Sequence, residues 1–188
     1  MRGHIAVLGY TNRTPSIAYE ILSSGSRLKR FLHGVDRATP HLVILDAEVD
    51  YELTQDLRAH LKSYWNPHLI TFRTGEGIQQ DDLEKVDPTH AAAIILPAST
   101  FEGQRRERID ARTIKTILSI KNLVRASECD PPMVVAEILD ARKVELAERA
   151  YGKNIRIVCS ETLICRLMAQ NIHHPGLSYV YAELLRHV

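Results

Sequence analysis

Gly9-Tyr10-Thr11-Asn12-Arg13-Thr14 is the stretch of this sequence whose residue types and spacing point to the most specific chemistry. It follows an apolar run, His4-Ile5-Ala6-Val7-Leu8, and precedes a helical pattern. A turn between strand and helix aims the first backbone N–H groups of the helix at an anion. With the spacing G-x-G-x-x-G it cradles the pyrophosphate of a dinucleotide. Here only the first glycine is kept, as Gly9, and Thr11 and Thr14 stand at the second and third positions. The second glycine lets a pyrophosphate lie against backbone, and the third lets the helix pack closely on the sheet. A Cβ at both places preserves the strand–turn–helix and works against ordinary NAD binding.

Two further places belong to the same chemistry. Asp46 closes the second apolar run, where a carboxylate either accepts from a ribose 2′-hydroxyl or serves as a helix-capping or loop carboxylate. It lies further from Gly9 than the usual ~20 residues, because a long Leu22–His41 link intervenes. Arg73-Thr74-Gly75, followed by Asp81-Asp82-Leu83, reads either as a turn cupping the adenine side or as an ordinary strand-to-helix turn. The cofactor-binding candidates are therefore Gly9, Tyr10, Thr11, Asn12, Asp46, Thr74 and Gly75, for NAD or an adenine nucleotide on a degenerate motif. Ala47, Glu48 and Pro97–Ser99 fall at the same ends of their strands. No metal site is expected. His173-His174 are neighbours whose side chains diverge by about 100° on a helix, and Asp81, Asp82 and Glu84 suit a helix N-terminus. The sequence has no nucleophile elbow, no H-E-x-x-H and no P-loop lysine, so no catalytic residue is assigned.

Short, near-continuous apolar runs predict strands at His4–Leu8, Leu42–Leu45, Leu69–Phe72, Ala92–Leu96, Met133–Ile138 and Ile155–Val158, each buried on both faces. Helical patterns alternate with them. Thr14 with Pro15 is read as N-cap and first helical position before Ser16–Leu22. Leu53, Leu57 and Leu61 mark Tyr51–Tyr64, Leu83 and Val86 a short helix after Gly77, and Ile114, Ile117 and Leu118 mark Arg106–Lys121. Val144, Ala147 and Ala150 follow Asp140, and Ser160 is read as the cap of a helix carrying Leu163, Ile164, Leu167, Met168 and Ile172. The fold class is α/β: a Rossmann-like, doubly wound, parallel six-stranded sheet with right-handed crossovers and extra C-terminal helices. Residues 1–159 form the core and 160–188 the extra helices. The basic piece Leu28–His33 is either a helix extension or a surface loop. Tyr179, Val180, Ala182 and Leu184 give the tail an apolar side that needs a partner, in the same domain or in another subunit.

With 24 basic and 23 acidic residues the chain carries a net +1, which gives no electrostatic footprint for nucleic acid. The clusters Arg27-Lys29-Arg30 and Arg105-Arg106-Arg108 are short and read as solvated faces. Three cysteines, Cys129, Cys159 and Cys165, form no C-x-x-C pair, which fits a reducing, intracellular setting. No apolar stretch approaches the ~20 residues of a membrane span, and the first residues already read as strand, so no leader is expected.

Taken in order, these segments resemble the N-terminal half of domains that regulate potassium conductance, as found in ligand-gated potassium channels and Trk-type uptake systems. The branch they look most like is that of the Castor/Pollux-type ion channels. Gly3-His4-Ile5-Ala6-Val7-Leu8-Gly9 is similar to the G-H-I-x-I-x-G opening, and Asp82-Leu83-Glu84-Lys85-Val86 before Ala91–Leu96 to its D-L-x-K-V stretch. Asp110-Ala111-Arg112 is similar to the D-A-R helix and Val134-Val135-Ala136-Glu137 to V-V-x-E. Arg166-Leu167-Met168-Ala169-Gln170 with Pro175-Gly176-Leu177 is similar to R-L-M-x-Q and P-G-L. The resemblance implies a non-catalytic, ligand-responsive gating domain on the cytoplasmic side of a membrane channel or transporter for potassium or another cation. It implies homo-oligomers, a dimer or ring paired through the last helices, attached to a membrane pore domain. The alternative reading is an NAD(P)-binding oxidoreductase domain.

Overall fold

A computed structural model describes residues 2–24, 41–98, 106–127 and 129–185. The Leu28–His33 piece, the Arg27-Lys29-Arg30 cluster, Arg105 and Ser99 lie outside the described residues. The elements run β1 (His4–Leu8), α1 (Thr14–Ser23), β2 (Leu42–Asp46), α2 (Tyr51–Leu61), β3 (Ile70–Thr74), α3 (Gln80–Glu84) and β4 (Ala91–Leu96). They continue with α4 (Arg106–Ala126), β5 (Met133–Ile138), α5 (Val144–Tyr151), β6 (Ile155–Cys159), α6 (Ser160–His173) and α7 (Leu177–Leu185).

The strands pair in the order β3-β2-β1-β4-β5-β6, every pair parallel. Val7 stands opposite Ile44 in β2 and Ile95 in β4, so β1 is the central strand. Alternation within β1 shows why the sequence reads as continuously apolar. Ile5 and Val7 enter the layer with Ala18, Ile21 and Leu22 of α1 and Leu57 and Leu61 of α2. Ala6 and Leu8 enter the opposite layer, with Ile117, Ile120 and Val124 of α4 and Ala147 of α5. Both faces are dry, so neither parity of side chain is polar.

The chain winds outward from β1 to β3, then crosses back to β4 and winds the other way. That reversal places the topological switch point between the carboxyl ends of β1 and β4, the place where open α/β sheets hold ligands.

Three expectations are corrected in detail. Arg13, not Thr14, is the residue before α1, and it makes no side-chain cap; Thr14 is the first helical residue. Cys159 likewise precedes α6, and Ser160 is inside it. The third strand runs to Thr74, beyond the apolar run. It is an edge strand with Arg73 and Thr74 exposed, and a backbone ladder does not require apolar side chains there.

The tail differs from the core. No residue of α6 is buried, and Leu163, Ile164, Met168 and Ile172 stand exposed, the last two at 68% and 80%. Tyr179, Val180 and Leu184 of α7 are exposed as well. On the sheet, Val158 at the edge is also open to solvent.

Candidate functional site

The turn after β1 is built from its backbone outward. Gly9 adopts φ +109°, a conformation open to glycine and strained for other residues, and its N–H donates to Leu45 O at 2.8 Å. Four of the next donors are engaged inside the protein. Tyr10 N donates to Asp46 Oδ2 at 2.6 Å, Thr11 N to Thr14 Oγ1 at 2.9 Å, and Arg13 N to Thr11 Oγ1 at 3.1 Å. Thr14 N donates to Thr11 O at 3.0 Å, and the Thr14 hydroxyl donates onward to Gly9 O at 3.1 Å. Both threonine side chains are buried. The two residues that replace glycine therefore build the turn.

Asp46 is positioned by the last rung of β2, opposite Thr74. Besides Tyr10 N, it accepts from Glu48 N at 3.2 Å. Both bonds tie the Asp46 carboxylate to the backbone of neighbouring loops. The Tyr10 ring reaches α2, where its hydroxyl donates to Asp56 Oδ2 at 2.6 Å. Burial, followed by the hydrogen bond to Asp56, pushes the Tyr10 phenol well above its ordinary value.

Around this turn lies a crevice of about 170 Å³, lined in part by Gly9, Tyr10, Thr11, Asp46 and Gly75. It is small beside ligand pockets of roughly 300–1,000 Å³. Asn12 and Thr74 are not in its lining; Asn12 is exposed, and the Thr74 carbonyl accepts from Lys85 Nζ at 3.0 Å. Gly75 begins the next turn, and a Cβ there would sit 2.5 Å from Asp82 Cγ. Asp82 uses its carboxylate on Glu76 N and Lys85 Nζ, at 2.8 and 2.6 Å, and those bonds, Lys85 first, hold its pKa below the usual range. The far wall is α4, through Ile109, Arg112, Thr113 and Thr116.

Arg13, Glu137 and Asp110, which belong to the motifs but not to the cofactor-binding candidates, are tied into the structure by their side chains. The Arg13 guanidinium lies 3.2 Å from Glu137 Oε1 and donates to Ala98 O at 3.3 Å. Glu137, buried at the carboxyl end of β5, accepts from Ala98 N at 3.0 Å through its other oxygen. Asp110, fully buried, accepts from Leu139 N, Asp140 N and Lys143 Nζ at 2.9, 3.1 and 3.2 Å. For Glu137 the signal in the sequence is an acid inside an otherwise apolar strand, since a buried carboxylate needs a partner. Among the described residues, no group of three His, Cys, Asp or Glu side chains could hold a metal ion. No described helix is long and apolar enough to cross a membrane.

Strand order and switch point define a Rossmann-like α/β domain whose turn after β1 carries Thr11 and Thr14. The chain belongs to the family of calcium-activated potassium channel slowpoke-like RCK domains, with residues 2–159 matched. It is 27% identical over 184 residues to a probable ion channel, SYM8, of Pisum sativum, covering 98% of this chain and 19% of that protein. It is 26% identical over 182 residues to the probable ion channel POLLUX of Arabidopsis thaliana, covering 97% of this chain and 20% of that protein. The chain thus spans about a fifth of the length of these relatives. Its fold is shared with the human SLO3 gating ring, at a TM-score of 0.64 and 19% identity, covering 94% of this chain and 27% of that one. The resemblance to Castor/Pollux-type channels drawn from the motifs agrees with these relatives.

Proposed function

We propose that this chain is a non-catalytic regulatory module of a potassium or other cation channel or transporter. It works on the cytoplasmic side of the membrane as a homo-oligomer, with residues 1–159 as its core and 160–188 as its assembly helices. The observation that carries the reading is α6, a helix with an apolar stripe and no buried side chain. An exposed stripe of that kind marks an interaction surface, and a second copy of the same helix offers the matching apolar face. The SLO3 relative is a gating ring, and the sequence relatives are ion channels. Two paired cores that can take different arrangements form a bistable element. A regulator that favours one arrangement shifts the population and pulls on an attached pore.

Light scattering on the 188-residue chain tests the pairing. The wild type is expected to be dimeric or larger, and Met168→Asp to shift it toward monomer with its thermal transition kept. A wild type that stays monomeric up to its solubility limit contradicts the proposal.

A further inference from the structure

A dinucleotide is the ligand a Rossmann-like switch point suggests, and the residues present do not fit one. A pyrophosphate at this turn needs unoccupied N–H donors at the helix N-terminus, room against backbone, and no competing anion. The donors of Tyr10, Thr11, Arg13 and Thr14 are all engaged with protein oxygens. The Thr11 and Thr14 side chains are buried at the two positions where glycines would leave room for a ligand. The Asp46 carboxylate lies 2.6 Å from Tyr10 N, on the turn that would meet the phosphates.

Arg13 is the one basic side chain in the turn, and it faces away from this role. It crosses the switch point to Glu137 and to the Ala98 carbonyl, joining the N-terminus of α1 to the ends of β4 and β5. Glu137 is buried, so drawing Arg13 off it would leave a carboxylate without its cation, which is strongly unfavourable.

We infer that the switch point of this chain is closed to pyrophosphate-bearing ligands by its own groups. Thr11, Thr14 and Asp46 occupy the N–H donors of Tyr10, Thr11, Arg13 and Thr14, and the Arg13–Glu137 pair bridges the gap that a bound dinucleotide would span. This inference is independent of whether copies of the chain pair.

Calorimetric titration of the 188-residue chain with NAD, ADP and inorganic pyrophosphate tests it, alongside Glu137→Gln. That variant keeps an acceptor for Ala98 N and removes the charge that holds Arg13. The wild type is expected to bind each probe more weakly than about 1 mM. Glu137→Gln, confirmed folded by its melting transition, is expected to bind pyrophosphate at least about tenfold tighter. Should Glu137→Gln not fold, Asp46→Asn takes its place, since its amide oxygen can still accept from Tyr10 N while the negative charge is gone. The same gain is expected there. Wild-type binding of any probe tighter than about 1 mM overturns the inference. A folded variant with wild-type affinity overturns it too.

Discussion

His4 shows at the residue scale how a motif residue can be structural. It is buried at the start of β1, and its Nε2 is 2.7 Å from Val86 O, so in the neutral ring this nitrogen carries the proton and donates. Burial, the largest cause, lowers its pKa from the ordinary 6.5, ahead of the opposing pull of the Val86 bond and of Asp87. The folded state therefore holds His4 neutral, while the unfolded chain takes up a proton near 6.5. The contribution is full above that value and is lost as pH falls through it, by at most about 1.4 kcal/mol per pH unit. Urea denaturation at pH 7.5, 6.0 and 5.0 is expected to show this loss, and His4→Leu to remove that part of the slope. An unchanged slope in His4→Leu contradicts the assignment. The depressed carboxylates of Asp82, Asp87 and Asp140, the last at about 2, act in the same direction below their ordinary 3.8, a separate acid window. The residues of the turn were legible because glycine spacing is a backbone requirement. Arg13 and Glu137 were not, because their meaning lies in a pairing across the sheet that no local spacing records.

At the scale of elements, the strands were legible wherever both faces are buried, as in β1 and β5. A short run that is apolar at every position fits a strand covered on both sides better than a half-exposed one. The end of β3 was not legible, because backbone pairing with Leu45 and Asp46 carries it past the apolar residues. The cap of α1 was misassigned for a related reason. Threonine is a common N-cap, but the Thr14 hydroxyl is held by Thr11 N and Gly9 O within a closed turn. The two long helices differ most in what they bury. Ile117 of α4 is wholly enclosed, and Met168 of α6 is mostly exposed. Ile117→Ala is expected to cost about 2–5 kcal/mol in urea denaturation. Met168→Ala is expected to change the stability of the monomer by no more than about 0.5 kcal/mol. Comparable losses at the two positions would mean that α6 is packed within a single chain.

For the whole molecule, the order β3-β2-β1-β4-β5-β6 follows from the alternation of strand and helix together with the handedness of crossovers. Among the described residues, the arrangement buries no side chain of one long helix. α1 and α2 pack on one face of the sheet, α4 and α5 on the other, and the chain after β6 adds α6 and α7 without burying a side chain of α6. That the tail carries an apolar side was legible in its spacing. Whether that side packs at home or on a second copy was not, because the spacing is the same for both. Pairing of α6 between copies of a regulatory domain predicts a concentration dependence in the hydrogen exchange of the 188-residue chain. Amides of 160–173 are expected to gain protection as concentration rises while those of β1 and β5 stay constant. Exchange across 160–173 that does not change with concentration, in a chain that remains monomeric, would contradict it.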